Sequence, residues 1–249
     1  MKLTDKEIEF GFWNKYSREP NYLNSNNSKI YSEKNLGLNL SEQNKIKDLK
    51  NWNSILPKLT KVEYLWTYHK VSQETFDIIC EMTNLKGLNI KWSGIKNLDG
   101  ITNLTKLENL NIGSSTQITD ISPLSKLSNI KTLEIENFKS VKDFSSISKM
   151  TDLIGLGLNG GMYSVLKLDN LKPIEHLVNL EYLQLISTRI MDKSIDPLLN
   201  LKKLKSLRLS DKWSESDFDL LRQNMPNLKY GNVVPDANAK RLMKIFGKK

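Results

Sequence analysis

The sequence predicts an α/β solenoid, in which short parallel strands stack into one curved sheet and 3₁₀ or turn segments return along the convex side. Three observations predict it: an aliphatic register that recurs along most of the chain, strict alternation within each recurrence, and a period of three between recurrences. The register starts at Leu59 and returns at Met82, Leu104, Leu127, Met150, Leu177, Leu201 and Met225, with spacings of 23, 22, 23, 23, 27, 24 and 24 residues.

Three residues after each start stand Val62, Leu85, Leu107, Ile130, Leu153, Leu180, Leu204 and Leu228. The places six and eight after each start are apolar except at Thr67 and Gly231, which fall in the outermost units. Alternation of these two places with polar neighbours is the signature of a strand with one buried face. Between strands, apolar residues recur every third place, as in Ile95, Leu98, Ile101 and in Ile118, Ile121, Leu124. That period suits 3₁₀ turns better than an α-helix, whose apolar face repeats at three and four. A single unit cannot bury its own apolar side, so stability must come from neighbours that seal one another.

Segments such as Ile118-Thr-Asp-Ile-Ser-Pro-Leu124 and Ile95-Lys-Asn-Leu-Asp-Gly-Ile101 resemble the internalin-like, or SDS22-like, class of leucine-rich repeats. The resemblance covers residues 59–234 and implies a leucine-rich-repeat solenoid that binds proteins on its concave sheet. It also implies a buried asparagine ladder three residues beyond the last strand leucine. This sequence places Ser93, Ser115, Phe138, Gly161, Thr188 and Lys212 there, so irregular turns are expected after the fourth to seventh repeats.

Residues 1–58 read as a partly helical N-terminal cap. Thr4-Asp-Lys-Glu7 has capping-box spacing before the amphipathic run Ile8 to Tyr16, and the asparagine-rich Asn21 to Ser28 reads as a loop. Trp13, Tyr16 and Trp52 are expected to pack. Residues 235–249 read as a short basic amphipathic helix or tail, a cap in the simplest reading. The resulting division is 1–58 cap, 59–234 repeats in about eight units, and 235–249 tail.

The formal charge is +9, made of +3 over residues 1–58, +2 over 59–234 and +4 over 235–249. A nearly balanced central body lacks the continuous basic face that holds nucleic acid, so nucleic acid is not the expected partner. No apolar run is long enough to cross a membrane, and Met1 to Phe10 has no signal-peptide core, so a cytoplasmic location is expected. The lysine- and asparagine-rich composition suggests a bacterial source.

No nucleophile–base pair, metal spacing or phosphate loop emerges, so no enzyme activity, cofactor or metal is expected. Cys80, His69 and His176 read as a buried packing residue, a surface side chain and a return-segment residue. Gly155, Gly157, Gly160 and Gly161 read as a strand with little side-chain cover.

What remains is the outward face of the strands, where Trp, Tyr and Arg are the types that most often carry binding energy. The candidate partner-binding residues are Tyr64, Trp66, Tyr68, Lys91 and Trp92 near the first units, Glu134 and Glu136 centrally, and Tyr182, Gln184, Arg208 and Tyr230 near the last. The expected function is a non-catalytic scaffold that recognises a protein partner. The alternatives are an immunity or antitoxin-like inhibitor of a toxin, and a nucleic-acid or membrane adaptor acting through the basic termini. Composition does not indicate an oligomeric state.

Overall fold

A computed structural model describes residues 20–210 and 213–234. The strands are β1 (Asn21–Leu23), β2 (Asn35–Leu38), β3 (Tyr64–Ser72), β4 (Gly87–Gly94), β5 (Asn109–Ile112), β6 (Thr132–Glu136) and β7 (Gly155–Asn159). They are followed by β8 (Leu166–Leu168), β9 (Tyr182–Leu185), β10 (Thr188–Ile190) and β11 (Ser206–Leu209). Nine of them form one parallel sheet in the order β1-β2-β3-β4-β5-β6-β7-β9-β11, while β8 and β10 make a separate parallel pair.

Register follows the sequence period. Leu36, Leu65, Leu88, Leu110, Leu133, Leu156, Leu183 and Leu207 stand opposite one another in a single row. All eight are buried, and the row beside them holds Thr67, Ile90, Ile112, Ile135 and Leu158. Thr67 is tolerated in this apolar row because its hydroxyl donates to the Asn89 carbonyl of β4 at 3.5 Å. The other exception, Gly231, has φ +100 and lies where an added Cβ would meet the Leu207 carbonyl oxygen at 1.9 Å, so only glycine fits.

The return segments are 3₁₀ turns at Asp99–Asn103, Ser122–Lys126, Ser145–Lys149, Lys172–Ile174 and Asp196–Asn200, as the period of three predicts. Several open on a side chain that accepts from the backbone two residues on: Asp120 from Ser122 N–H and Asp143 from Ser145 N–H, both at 2.7 Å, and Asn170 from Lys172 N–H at 3.0 Å. Two units return through α-helix instead. Helix α1 (Lys45–Ile55) follows β2, and α2 (Gln73–Ile79) follows β3, capped by Ser72 accepting from Thr75 N–H. A third helix, α3 (Glu215–Asn224), precedes the last described segment and begins with a Ser214/Asp217 capping box.

One reading of the sequence changes. The sheet reaches back into the segment read as a cap, and Asn21–Leu23, within the expected loop, is its first strand. Three residues, of which only Leu23 is partly buried, were too few to show periodicity. The family's asparagine positions are filled by other means. Ser93 and Ser115 join hydroxyl to hydroxyl, Thr188 donates to the Leu158 carbonyl at 2.6 Å, and Phe138 occupies its place as a fully buried ring.

An asparagine ladder does exist, two residues after the register starts. The amides of Asn84, Asn129, Asn179 and Asn227 donate to the carbonyls of Thr60, Thr105, Thr151 and Lys202 in the preceding units at 2.7–3.0 Å. The 27-residue unit places its extra length in a tight loop bridged at Gly161 and Ser164, which then enters β8. The capping box at Thr4–Glu7, Trp13, Tyr16, Lys212 and the 235–249 tail lie outside the described residues.

Candidate functional site: the concave face of the sheet

Alternation that turns the leucine row inward turns the intervening residues onto the concave face. One column there runs Trp66, Asn89, Asn111, Glu134 and Gly157, with Gln184 and Arg208 continuing it on β9 and β11. Six strand spacings of about 4.8 Å separate Trp66 from Arg208, roughly 29 Å in all. The face is bulky at its ends and small in the middle.

At the first end, Tyr64 lies over Gly87, where a Cβ would come within 2.5 Å of its ring, and Tyr64 stacks on Trp66 with centroids 6.3 Å apart. Tyr22 of β1 meets Tyr68 at 5.8 Å. Trp66 is only 5% exposed, so the fold itself takes up this indole, and it is not presented to a partner. Tyr68 and Trp92 keep nearly half their surface, and Lys91 is exposed beside Trp92.

The middle is floored by Gly113, Gly155 and Gly157 around Glu134 and Glu136. Glu134 accepts from the Asn159 amide at 2.7 Å and the Asn111 amide at 3.1 Å. Burial nevertheless dominates, and with a smaller push from Glu136 it raises the Glu134 carboxyl to about 8, against the amide of Asn159 and the charge of Lys91. A carboxyl in this state holds its proton at neutral pH.

At the far end, Tyr182 is 3% exposed and its hydroxyl donates to Glu181 at 3.1 Å, so it too is a packing residue. Gln184, Arg208 and Tyr230 are partly exposed, and Tyr230 joins the last strand through a single bridge to Ser206. The candidate set thus divides into a first-end group, a central pair of glutamates and a far-end group, with Trp66 and Tyr182 withdrawn into the packing.

His69 differs from its reading as a surface side chain. Both ring nitrogens are sealed from solvent without a hydrogen-bond partner, and burial, helped by Lys45, lowers the imidazole to about 4. Cys80 is fully buried, which drives its thiol far above the ordinary range and leaves it unreactive. Among the described residues, no three His, Cys, Asp or Glu side chains converge on a metal-sized site, and no helix is long and apolar enough to cross a membrane.

Two exposed features escaped the sequence reading. Tyr22 and Ile46 belong to the region read as a cap, and Met162 with Tyr163 crown the loop of the long unit at 83% and 96% exposure. The 27-residue spacing was the available signal for that loop.

Stacked parallel strands, 3₁₀ returns and a single leucine spine define a leucine-rich-repeat protein, internalin-like in build. The family profile described as Leucine Rich repeats (2 copies) matches residues 83–126. Internalin InlF of Listeria monocytogenes is 28% identical over 72% of this chain and 48% of its own, with a TM-score of 0.55. Internalin C2 of the same organism is 22% identical over 78% of this chain and 79% of its own, with a TM-score of 0.52. PEPR1, solved as PEPR1–AtPEP1, shares the fold at 15% identity and a TM-score of 0.55, over 77% of this chain and 28% of its own. The chain spans about half the length of InlF. No curated protein matches it.

Proposed function

We propose that this chain is a non-catalytic scaffold that recognises a protein partner on the concave face of its sheet. The observation that carries this reading is the division of that face. Partly exposed aromatic and charged side chains stand at both ends of a roughly 29 Å track, with a small-residue floor between them. A track of that length suits a standard protein interface, and Tyr and Arg at its ends are suitable anchors. The likeness to a protein solved as PEPR1–AtPEP1 agrees with such use of the fold. The likeness to Listeria internalins supports a bacterial source.

Charge reversal tests the surface. A partner recovered with the wild type should be retained by Lys126→Glu/Lys149→Glu on the convex turns and lost by Glu136→Lys/Arg208→Glu, with melting curves showing that all variants fold. Equal retention by both pairs would place binding elsewhere.

A further inference from the structure

Among the described residues, the exposed side chains of Tyr22, Ile46, Tyr68 and Trp92 gather at one end of the solenoid. Helix α1 and the C-terminal ends of the first strands enclose a groove of about 840 Å³, lined by Tyr22, Leu38, Leu40, Leu49, Tyr68 and Trp92. Ile46 of α1 stands at its edge, 78% exposed. Side chains at 45, 46 and 49 share one face of α1, which brings Lys45, Ile46 and Leu49 to the groove together. Clusters of large exposed hydrophobics on a folded protein mark interaction sites, and Trp and Tyr are the strongest anchors in them.

The strand that supplies Tyr68 is built for this. Between Thr67 and Lys70 the register of β3 against β4 shifts, so that one extra residue is accommodated before Lys70 pairs with Trp92. A bulge re-aims side chains, and here it brings Tyr68, His69 and Lys70 all into the groove lining. Without it, Tyr68 would continue the plain concave column.

Charge decides what the groove accepts. Lys45 and Lys70 line it against a single acid, Glu42, and Lys91 stands next to Trp92. Lys45 is engaged by Glu42 at 3.1 Å, but both side chains are largely exposed, and such a pair is worth little and exchanges readily. His69 is held neutral, first by its burial and then by the charge of Lys45, so it adds no charge to the groove. Two lysines against one acid favour a carboxylate over a cationic anchor. Leucine flooring, and the absence of arginine from the lining, suit an apolar side chain better than stacked bases.

We propose that this groove seats an acidic segment of a protein partner, an aliphatic or aromatic side chain entering between Tyr22, Tyr68 and Trp92 while neighbouring carboxylates face Lys45 and Lys70. This rests on the reading of the chain as a protein-binding scaffold and gives the first end of its concave face a chemically defined contact.

A random-peptide phage library panned on the full chain and on Tyr68→Ala/Trp92→Ala tests it. Both side chains are about half exposed, and equal melting of the two proteins confirms that the variant folds. Peptides enriched on the wild type should carry an apolar residue flanked by Asp or Glu and should lose about tenfold in enrichment on the variant. A labelled peptide from that set should bind more weakly as salt rises, and about tenfold more weakly to Lys45→Glu/Lys70→Glu.

Four results would overturn the proposal: basic or uncharged consensus peptides, equal enrichment on the variant, tighter binding of a labelled oligothymidine than of any peptide, or a dimer in sedimentation velocity that Trp92→Ala dissolves. Any of these would leave the concave-face reading standing, because its own test reads Glu136 and Arg208, which lie outside the groove.

Discussion

Replacing Glu134 by glutamine should make the protein more stable at alkaline pH, because the concave face holds this carboxyl where ionising it is costly. Its folded value of about 8 stands against an ordinary value of 4.5. A folded value raised above the unfolded one means that the folded state keeps its proton across that interval while the unfolded state loses it. Stability therefore falls as pH rises from about 4.5 to about 8 and levels off beyond.

At about 1.4 kcal/mol for each pH unit of that interval the ceiling is about 5 kcal/mol, and residual solvent contact reduces it to about 2–5 kcal/mol. Urea denaturation of wild type and Glu134→Gln at pH 5 and pH 9 isolates this group. The lowered carboxyls of Asp120, Asp143 and Asp217, whose stabilisation is lost as pH falls toward their folded values, occur in both proteins and cancel. The wild type should lose about 2–5 kcal/mol more than the variant between the two conditions. Parallel loss in both would refute the claim that the sheet desolvates Glu134.

Further outcomes follow from the packing. Leu133→Ala, in the middle of the buried row between Leu110 and Leu156, should cost about 2–5 kcal/mol in urea melts, whereas Leu220→Ala on the exposed face of α3 should cost under about 1 kcal/mol. Gly231→Ala should lower the melting temperature and raise amide exchange at Leu207, whose N–H donates to the Tyr230 carbonyl at 3.1 Å, because the added Cβ collides with the Leu207 backbone. The His69 ring should hold its neutral NMR shifts down through pH 6 and titrate near pH 4, and titration near 6.5 would show that the groove does not bury it.

Most of the fold was legible because a solenoid is repetitive. Each aliphatic position from Leu59 onward is repeated in the next coil, so a single weak signal is confirmed several times, and the leucine row assembled in the register the spacings predict. Legibility failed where repetition failed. Asn21–Leu23 and Asn35–Leu38 pair with the sheet although their spacing breaks the period, and β8 and β10 arise in the 27-residue unit and the unit after it.

The candidate site was read less completely, for a different reason. Alternation assigns a residue to the concave face but does not say what covers it. Trp66 and Tyr64 have the same period and similar chemistry, yet stacking withdraws one almost fully, while a one-residue bulge turns Tyr68 and His69 into a groove with Tyr22 and α1. Thus the amino-acid order alone determined the coil, its period and the side to which each strand residue points, because these depend on neighbours along the chain and on identical neighbours one coil away. Burial of Trp66, the raised carboxyl of Glu134 and the aromatic groove were decided only in three dimensions. Each depends on side chains brought together from distant and non-equivalent parts of the sequence, whose desolvation no local pattern encodes.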